Sequence, residues 1–222
     1  NKLKEIEIPN GVEEIGDGCF SECYKLEEIN LPNGVEEISD SCFSRCYNLE
    51  EINLPNSVTK IGDFGFSECY NLEKIELPNS VTKIGRFAFL GCNKLKEIEI
   101  PEGVKEIGDS CFLGCYKLEE INLPNSVTKI GANAFEGCRG LRELKISEDF
   151  DFSKLIVLGS DAEIKDESIF REVTNLPETT EIVRMKKNTK SEYDNFTREE
   201  LIDELLKVNS QLDEFKKETT KE

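Results

Sequence analysis

The chain repeats itself every 23 residues, and that period dictates its architecture. Leu3, Leu26, Leu49, Leu72, Leu95, Leu118 and Leu141 are evenly spaced and bracket six complete units. Each unit reads approximately Leu-x-x-Ile-x-Ile/Leu-Pro-Asn-Gly/Ser-Val-x-x-Ile-Gly-x-x-small-Phe-x-x-Cys. A unit this short cannot bury its apolar face alone, so the units must stack into a solenoid around one continuous core.

Residues 49–71 show the mechanics. The Leu49, Ile52, Leu54 pattern turns the apolar residues of a short strand inward. Pro55 has no amide proton to give to a neighbouring strand, so the ladder stops there, and Asn56 and Ser57 are turn residues. Val58 and Ile61 form a second inward pair on the opposite wall. Gly62 permits a sharp or positive-φ turn, although Ser39 at the same place in the second unit argues against an obligatory positive φ. Gly65, Phe66 and Cys69 suit one or two turns of helix. Stacked units predict a parallel sheet with strands ~4.8 Å apart, so that seven strands span roughly 30 Å.

At this point the units resemble the BspA-like leucine-rich repeats. The pattern is nearly whole from Leu118 to Cys138, and the resemblance covers residues 1–146 in register. It implies an α/β leucine-rich-repeat solenoid, with a parallel sheet on the concave face and short irregular or helical segments on the convex one. It also implies a non-catalytic binding role, because members are often surface proteins of bacteria or protist parasites, some of which bind host matrix proteins or other cells. The family has no shared catalytic residues to carry over.

Cysteine is the sharpest chemical signal. Cys23, Cys46, Cys69, Cys92, Cys115 and Cys138 occupy one repeat position, while Cys19, Cys42 and Cys111 share a second with Gly65, Ala88 and Ala134. Interchange with Gly and Ala marks a site for a small buried residue, a role that free Cys fills. Metal binding through the three Cys-x-x-x-Cys pairs is the alternative, but zinc knuckles are usually tighter and the chain has no histidine to complete a set. An odd count of nine, arranged as columns, does not favour a disulfide framework. Thiols kept free favour a reducing compartment, the cytosol or an anaerobic surface.

Outward strand positions define a candidate binding wall: Glu5 and Glu7, Glu28 and Asn30, Glu51 and Asn53, Lys74 and Glu76, Glu97 and Glu99, Glu120 and Asn122. With the residues that precede each strand, this wall holds twelve glutamates against three lysines. Like charges on adjacent strands repel, and a basic partner would relieve that; solvation of a duplicated repeat is the simpler account. Tyr24, Tyr47, Tyr70 and Tyr116 directly follow the cysteine column and mark a rim, with Asn93 and Arg139 at that position in the other two units. Exposed aromatics make a candidate contact strip, and mutual ring stacking explains the column equally well.

Beyond Leu141 the repeat decays. Leu141, Leu144 and Ile146 begin a seventh strand, and residues 147–185 read as a C-terminal cap. Within the cap, Phe152, Leu155 and Val157 fit a degenerate strand, and Ser160 with Glu163 forms a capping box for a helix to about Val173 carrying Ala162, Ile169 and Phe170. Thr180 to Met185 fits a last short strand. Residues 186–196 form a polar linker. In 197–217, Leu201, Leu205, Val208, Leu212 and Phe215 follow the alternating steps of a coiled-coil seam, on which an oligomer or a heteromeric contact would form.

The formal charge of −18 argues against nucleic acid and against docking on anionic membranes. No run of 18 apolar residues predicts membrane insertion, and no basic-then-apolar start predicts a signal peptide. The entry at Asn1, straight into a strand-like segment, suggests a processed or truncated N terminus. A cytoplasmic location is favoured, with a surface location if upstream sequence exists. The repeated carboxylates lie on an open face and not in one pocket, so no enzyme, cofactor or metal centre is expected. The sequence therefore points to a protein-interaction scaffold that binds through the concave face or rim. The alternatives are a cell-surface adhesin, or a structural part joined to an assembly through its C-terminal helix.

Overall fold

Residues 4–158, 164 and 166–185 are described by a computed structural model. Its strands in chain order are β1 (Glu5–Glu7), β2 (Glu28–Asn30), β3 (Glu37–Ile38), β4 (Glu51–Asn53), β5 (Lys60–Ile61), β6 (Lys74–Glu76) and β7 (Lys83–Ile84). Then come β8 (Glu97–Glu99), β9 (Glu106–Ile107), β10 (Glu120–Leu123), β11 (Lys129–Gly131), β12 (Glu143–Ser147), β13 (Ile156–Leu158) and β14 (Glu181–Met185). A single α-helix among the described residues, α1 (Glu167–Thr174), lies between the last two.

The coil has two walls. One carries two four-stranded sheets in the orders β1-β2-β4-β6 and β8-β10-β12-β14; the other carries six strands ordered β3-β5-β7-β9-β11-β13. Every pairing is parallel, and those between the repeats themselves are in repeat register, as with Ile98, Ile121 and Leu144 on one wall and Ile61, Ile84 and Ile107 on the other. From the second unit on, the Ile of each unit thus lies in a second sheet opposite the first, with the Val buried just before it. Between the walls the prolines open tight turns: Val58 N–H donates to Pro55 O at 3.0 Å, and Val81 N–H to Pro78 O at 3.0 Å.

The third side is not helical, contrary to the expectation from Gly65, Phe66 and Cys69. Each unit places two residues there in the left-handed region. The first position holds Gly18, Ser41, Phe64, Phe87, Ser110 and Asn133; the second holds Glu22, Arg45, Glu68, Gly91, Gly114 and Gly137. A residue of that hand every fourth position cannot continue a right-handed helix. The freed amides bond to the next coil instead, with Phe43 N–H to Gly65 O and Phe66 N–H to Ala88 O both at 2.8 Å. This side is therefore also a ladder between coils, made of turns.

Phe20, Phe43, Phe66, Phe89, Phe112 and Phe135 stack in one column, with centroids 5.3–6.0 Å apart and planes within 10° of parallel. From Phe43 onward these rings are fully buried, each contributing about 1.5–3 kcal/mol by burial alone. From the third unit on, the Ile-Gly glycine is required for close approach and not for positive φ. A Cβ on Gly108 would lie 2.4 Å from Arg86 N, and one on Gly62 would lie 2.5 Å from Asp40 Oδ1.

The described residues between 147 and 185 continue the coil. The β13 strand joins the second wall beside β11, and β14 joins the first beside β12. The α1 helix takes the place of the turn ladder, where Asn133 N–H donates to Val173 O and Phe135 N–H to Thr174 O, both at 2.9 Å. Its buried Phe170 ends the phenylalanine column, tilted 54° against Phe135. The helix N-cap is Asp166, whose Oδ1 accepts from Ile169 N–H at 3.1 Å. That corrects the capping box expected at Ser160 and Glu163, because Asp166 stands immediately before the first helical residue. Ser160, Ala162 and Glu163 lie outside the described residues, as does everything after Met185. The expected degenerate strand near Phe152 divides into a 3-10 turn at Phe152–Lys154 and β13.

Candidate functional site

From β2 to β12 the strand wall alternates, with apolar side chains buried and charged or amide side chains outward. Glu5, Glu28, Asn30, Glu51, Asn53, Glu76, Glu97 and Glu99 are exposed, and Glu120 and Asn122 are half-buried. Register aligns them across strands. Glu5 faces Glu28, Glu97 faces Glu120, and Glu120 faces Glu143. Asn30 faces Asn53, so the amides form their own column. Two lysines interrupt the acidic rows. Lys74 pairs with Glu76 on its own strand at 2.5 Å, and that bond and charge hold the Glu76 carboxyl below its ordinary range. Lys145 pairs with Glu120 and, at 3.8 Å, with Glu143, and the bond to Glu120 raises its own pKa.

Sequence reasoning did not place Glu143, Lys145 or Met185 on this wall, yet β12 and β14 extend it to them. The signal was present in Leu141-x-x-Leu144-x-Ile146, which the seventh strand obeys, but the loss of the proline obscured how far the wall continues. A shallow groove runs over β6, β8 and β10 to Lys145 and Met185, floored by Ile75, Ile98 and Ile100. Its many separate carboxylates on an open surface suit a cationic, extended ligand.

The rim is a real column. Tyr24 stacks on Tyr47 at 5.0 Å and Tyr47 on Tyr70 at 4.9 Å. Tyr116 stands two coils further on, with the Arg139 guanidinium 5.8 Å from its ring centroid. Arg45 pairs with Glu22 at 3.1 Å and with Glu68 at 3.3 Å, making a charge ladder beside the stacked rings. The Tyr70 hydroxyl donates to Glu68 Oε2 at 2.8 Å, and this bond to an anion, with some burial, pushes its pKa to about 12.

The cysteines are packing groups. All nine are free thiols, and the seven from Cys42 to Cys138 are buried. Cys19 is exposed and Cys23 half-buried, both in the first coil, which has a neighbour on only one side among the described residues. Burial pushes the Cys42 and Cys46 thiols up to about 12. Among the described residues no cluster of three or more His, Cys, Asp or Glu is arranged to hold a metal ion. Nor is any helix there long and apolar enough to cross a membrane. The seam of Leu201, Leu205, Val208, Leu212 and Phe215 lies outside the described residues.

Comparison with known proteins returns one kind of match. The BspA-type leucine-rich repeat region, in six copies, matches residues 1–86 and 59–180. A leucine-rich repeat protein from Bacteroides ovatus is 37% identical, with a TM-score of 0.60 over 70% of this chain and 42% of that one. The Treponema pallidum leucine-rich repeat protein (TpLRR) is 27% identical, with a TM-score of 0.63 over 83% and 88%. A leucine-rich cell surface protein from Faecalibacterium prausnitzii is 30% identical, with a TM-score of 0.54 over 78% and 51%. The chain thus spans less than half of the first of these and about half of the third. No curated protein matches.

Proposed function

We propose a role from one premise: the chain belongs to the BspA-type leucine-rich repeat family, and is a protein-interaction scaffold. Its ligand is a basic, extended segment of a partner protein, laid along the acidic strand wall. The observation that carries this is the register of like charges, Glu5 against Glu28 at one end and Glu97 against Glu120 against Glu143 at the other, where Lys145 is shared between two carboxylates; the repulsion left over favours a further cation. Leucine-rich-repeat relatives are typically non-catalytic, and the open wall of the described residues suits binding better than reaction. The test is fluorescence anisotropy with a labelled lysine-glycine peptide. Binding should weaken at least about ten-fold between 50 and 200 mM salt, and again in the pair Glu28→Lys, Glu51→Lys. Affinity indifferent to both changes would exclude the wall.

Two further roles have their own support. The Faecalibacterium relative is a cell surface protein, which favours adhesion; retention of the protein on matrix-coated plates, lost with the same charge reversals, would support it. The heptad spacing of residues 201–215 favours assembly through 197–217. Light scattering before and after deletion of residues 193–222 tests that, and a monomer in both cases removes it.

A further inference from the structure

The tyrosine column has one gap, and its position is specific. Tyr24, Tyr47 and Tyr70 stack at 4.9–5.0 Å, the fourth unit supplies Asn93, and the fifth resumes with Tyr116. Tyr70 and Tyr116 are therefore two ladder steps apart, about 10 Å, which leaves one vacant place in the column, about 5 Å from each ring. Asn93 does not fill it. Its amide, in the orientation its surroundings require, donates to the carbonyls of Gly91 at 3.2 Å and Gly114 at 3.0 Å, which ties the side chain to the floor.

The flanking ladder changes at the same point. Beside the first three rings stand Glu22, Arg45 and Glu68; beyond them the position is Gly91, Gly114 and Gly137. A Cβ on Gly91 would sit 3.5 Å from the Tyr70 ring, and one on Gly114 3.9 Å from that of Tyr116, so the glycines leave the trough open between the two walls. Tyr116 is the most exposed of the described tyrosines whose exposure stands out, at 52% against 39% for Tyr24 and 37% for Tyr70.

We infer that this gap is a binding slot for one arginine guanidinium of a protein partner, sandwiched between Tyr70 and Tyr116 above Asn93. Two observations select a planar cation. The carboxylates of Glu68 and Glu136 line the trough beside Arg139; Arg45 reaches Glu68 but is shared with Glu22, so three carboxylates stand against two cations. Arg139 itself shows what the column accepts: it occupies the tyrosine position of the sixth unit, and its guanidinium lies over the outer face of Tyr116 at 5.8 Å. A guanidinium is flat and stacks on aromatic faces, whereas an ammonium is a hydrated point charge. The inference rests on the partner-binding reading above and names the anchor residue of that partner.

The probe is N-acetyl-arginine amide, titrated into protein carrying 13C in its tyrosine rings and followed by NMR. The Tyr70 and Tyr116 resonances should shift saturably in the millimolar range, with Tyr24 unmoved, and the lysine analogue should bind at least about three-fold more weakly. Asn93→Tyr completes the column with the residue the repeat itself uses, so the fold is kept and the shifts should vanish. No saturable shift, equal response to lysine, or persistence in N93Y would each overturn the slot. The lysine-glycine peptide on the acidic wall contains no arginine, so failure of that reading registers separately.

Discussion

The thiol of Cys69 donates a hydrogen bond to the carbonyl oxygen of Phe43, 3.1 Å away and 26 residues back along the chain. The same oxygen accepts the N–H of Cys46, in its own coil, at 3.2 Å. The relationship recurs for Cys46, Cys92, Cys115 and Cys138, at 3.0–3.2 Å. Each cysteine thus closes its own turn with its amide and ties it to the preceding coil with its thiol. That explains why the repeat uses Cys here, where Ala or Val would fill space without donating.

Loss of the thiol should therefore cost more than its small volume implies. Cys92→Ala removes a buried donor and leaves a small cavity, and we expect a destabilisation of about 1–3 kcal/mol in urea unfolding. Cys19→Ala, at an exposed position, should be within about 0.5 kcal/mol of the parent.

Thiol reactivity should divide the nine cysteines. With Ellman's reagent on the native protein only Cys19 and Cys23 should react quickly, and all nine should titrate after denaturation without reductant. Because burial raises the Cys42 and Cys46 pKa to about 12 from an ordinary 9, the folded state holds those protons more tightly than the unfolded chain. Their contribution is complete below about pH 9 and is lost as pH rises toward 12, so the melting temperature should fall over that interval.

The Tyr70 hydroxyl offers a second alkaline test. Held by Glu68 at a pKa of about 12, against 10 for an ordinary phenol, it should ionise late in an ultraviolet titration. Glu68→Gln removes the anion and should bring one tyrosine back toward the ordinary range. An unchanged titration would mean that the bond to Glu68 does not hold the proton.

Two alanines at equivalent glycines should behave differently. At Gly108 the new Cβ would meet Arg86 N and Gly85 C at 2.4 Å, backbone that cannot rotate away, and we expect a loss of at least about 3 kcal/mol. At Gly16 nothing lies within 4 Å, and Gly16→Ala should be neutral or slightly stabilising. Calorimetry on the two variants separates close approach from backbone freedom as the reason for the glycine.

Much of this was legible because periodicity alone sets register. Leu and Ile at 23-residue intervals specified the strand wall, and Val58 with Ile61 specified the wall opposite it. The turn side was not legible, for a definite reason. Left-handed positions usually announce themselves as Gly or Asn, but Phe64, Phe87, Arg45 and Glu68 occupy them here, so the segment resembled a helix. Interchange of Cys with Gly and Ala marks a cysteine column as buried, yet a thiol-to-carbonyl bond across 26 residues has no sequence signature. The candidate wall was found up to Asn122, and its continuation to Lys145 was hidden where the consensus fades. The break in the tyrosine column is legible as Asn93, but the bonds of its amide to Gly91 and Gly114 depend on how the coils stack.

The parallel register has a metrical consequence for whatever lies along the wall. Successive coils advance by one strand spacing, ~4.8 Å, so like positions recur at that interval and its multiples. A flat extended peptide presents same-side residues every ~6.6 Å and drifts out of phase after one step. A polyproline II segment repeats every third residue, at ~9.3 Å, close to the ~9.6 Å of two coils. Of the extended conformations open to the basic segment proposed above, polyproline II is therefore the one that keeps step with the coils.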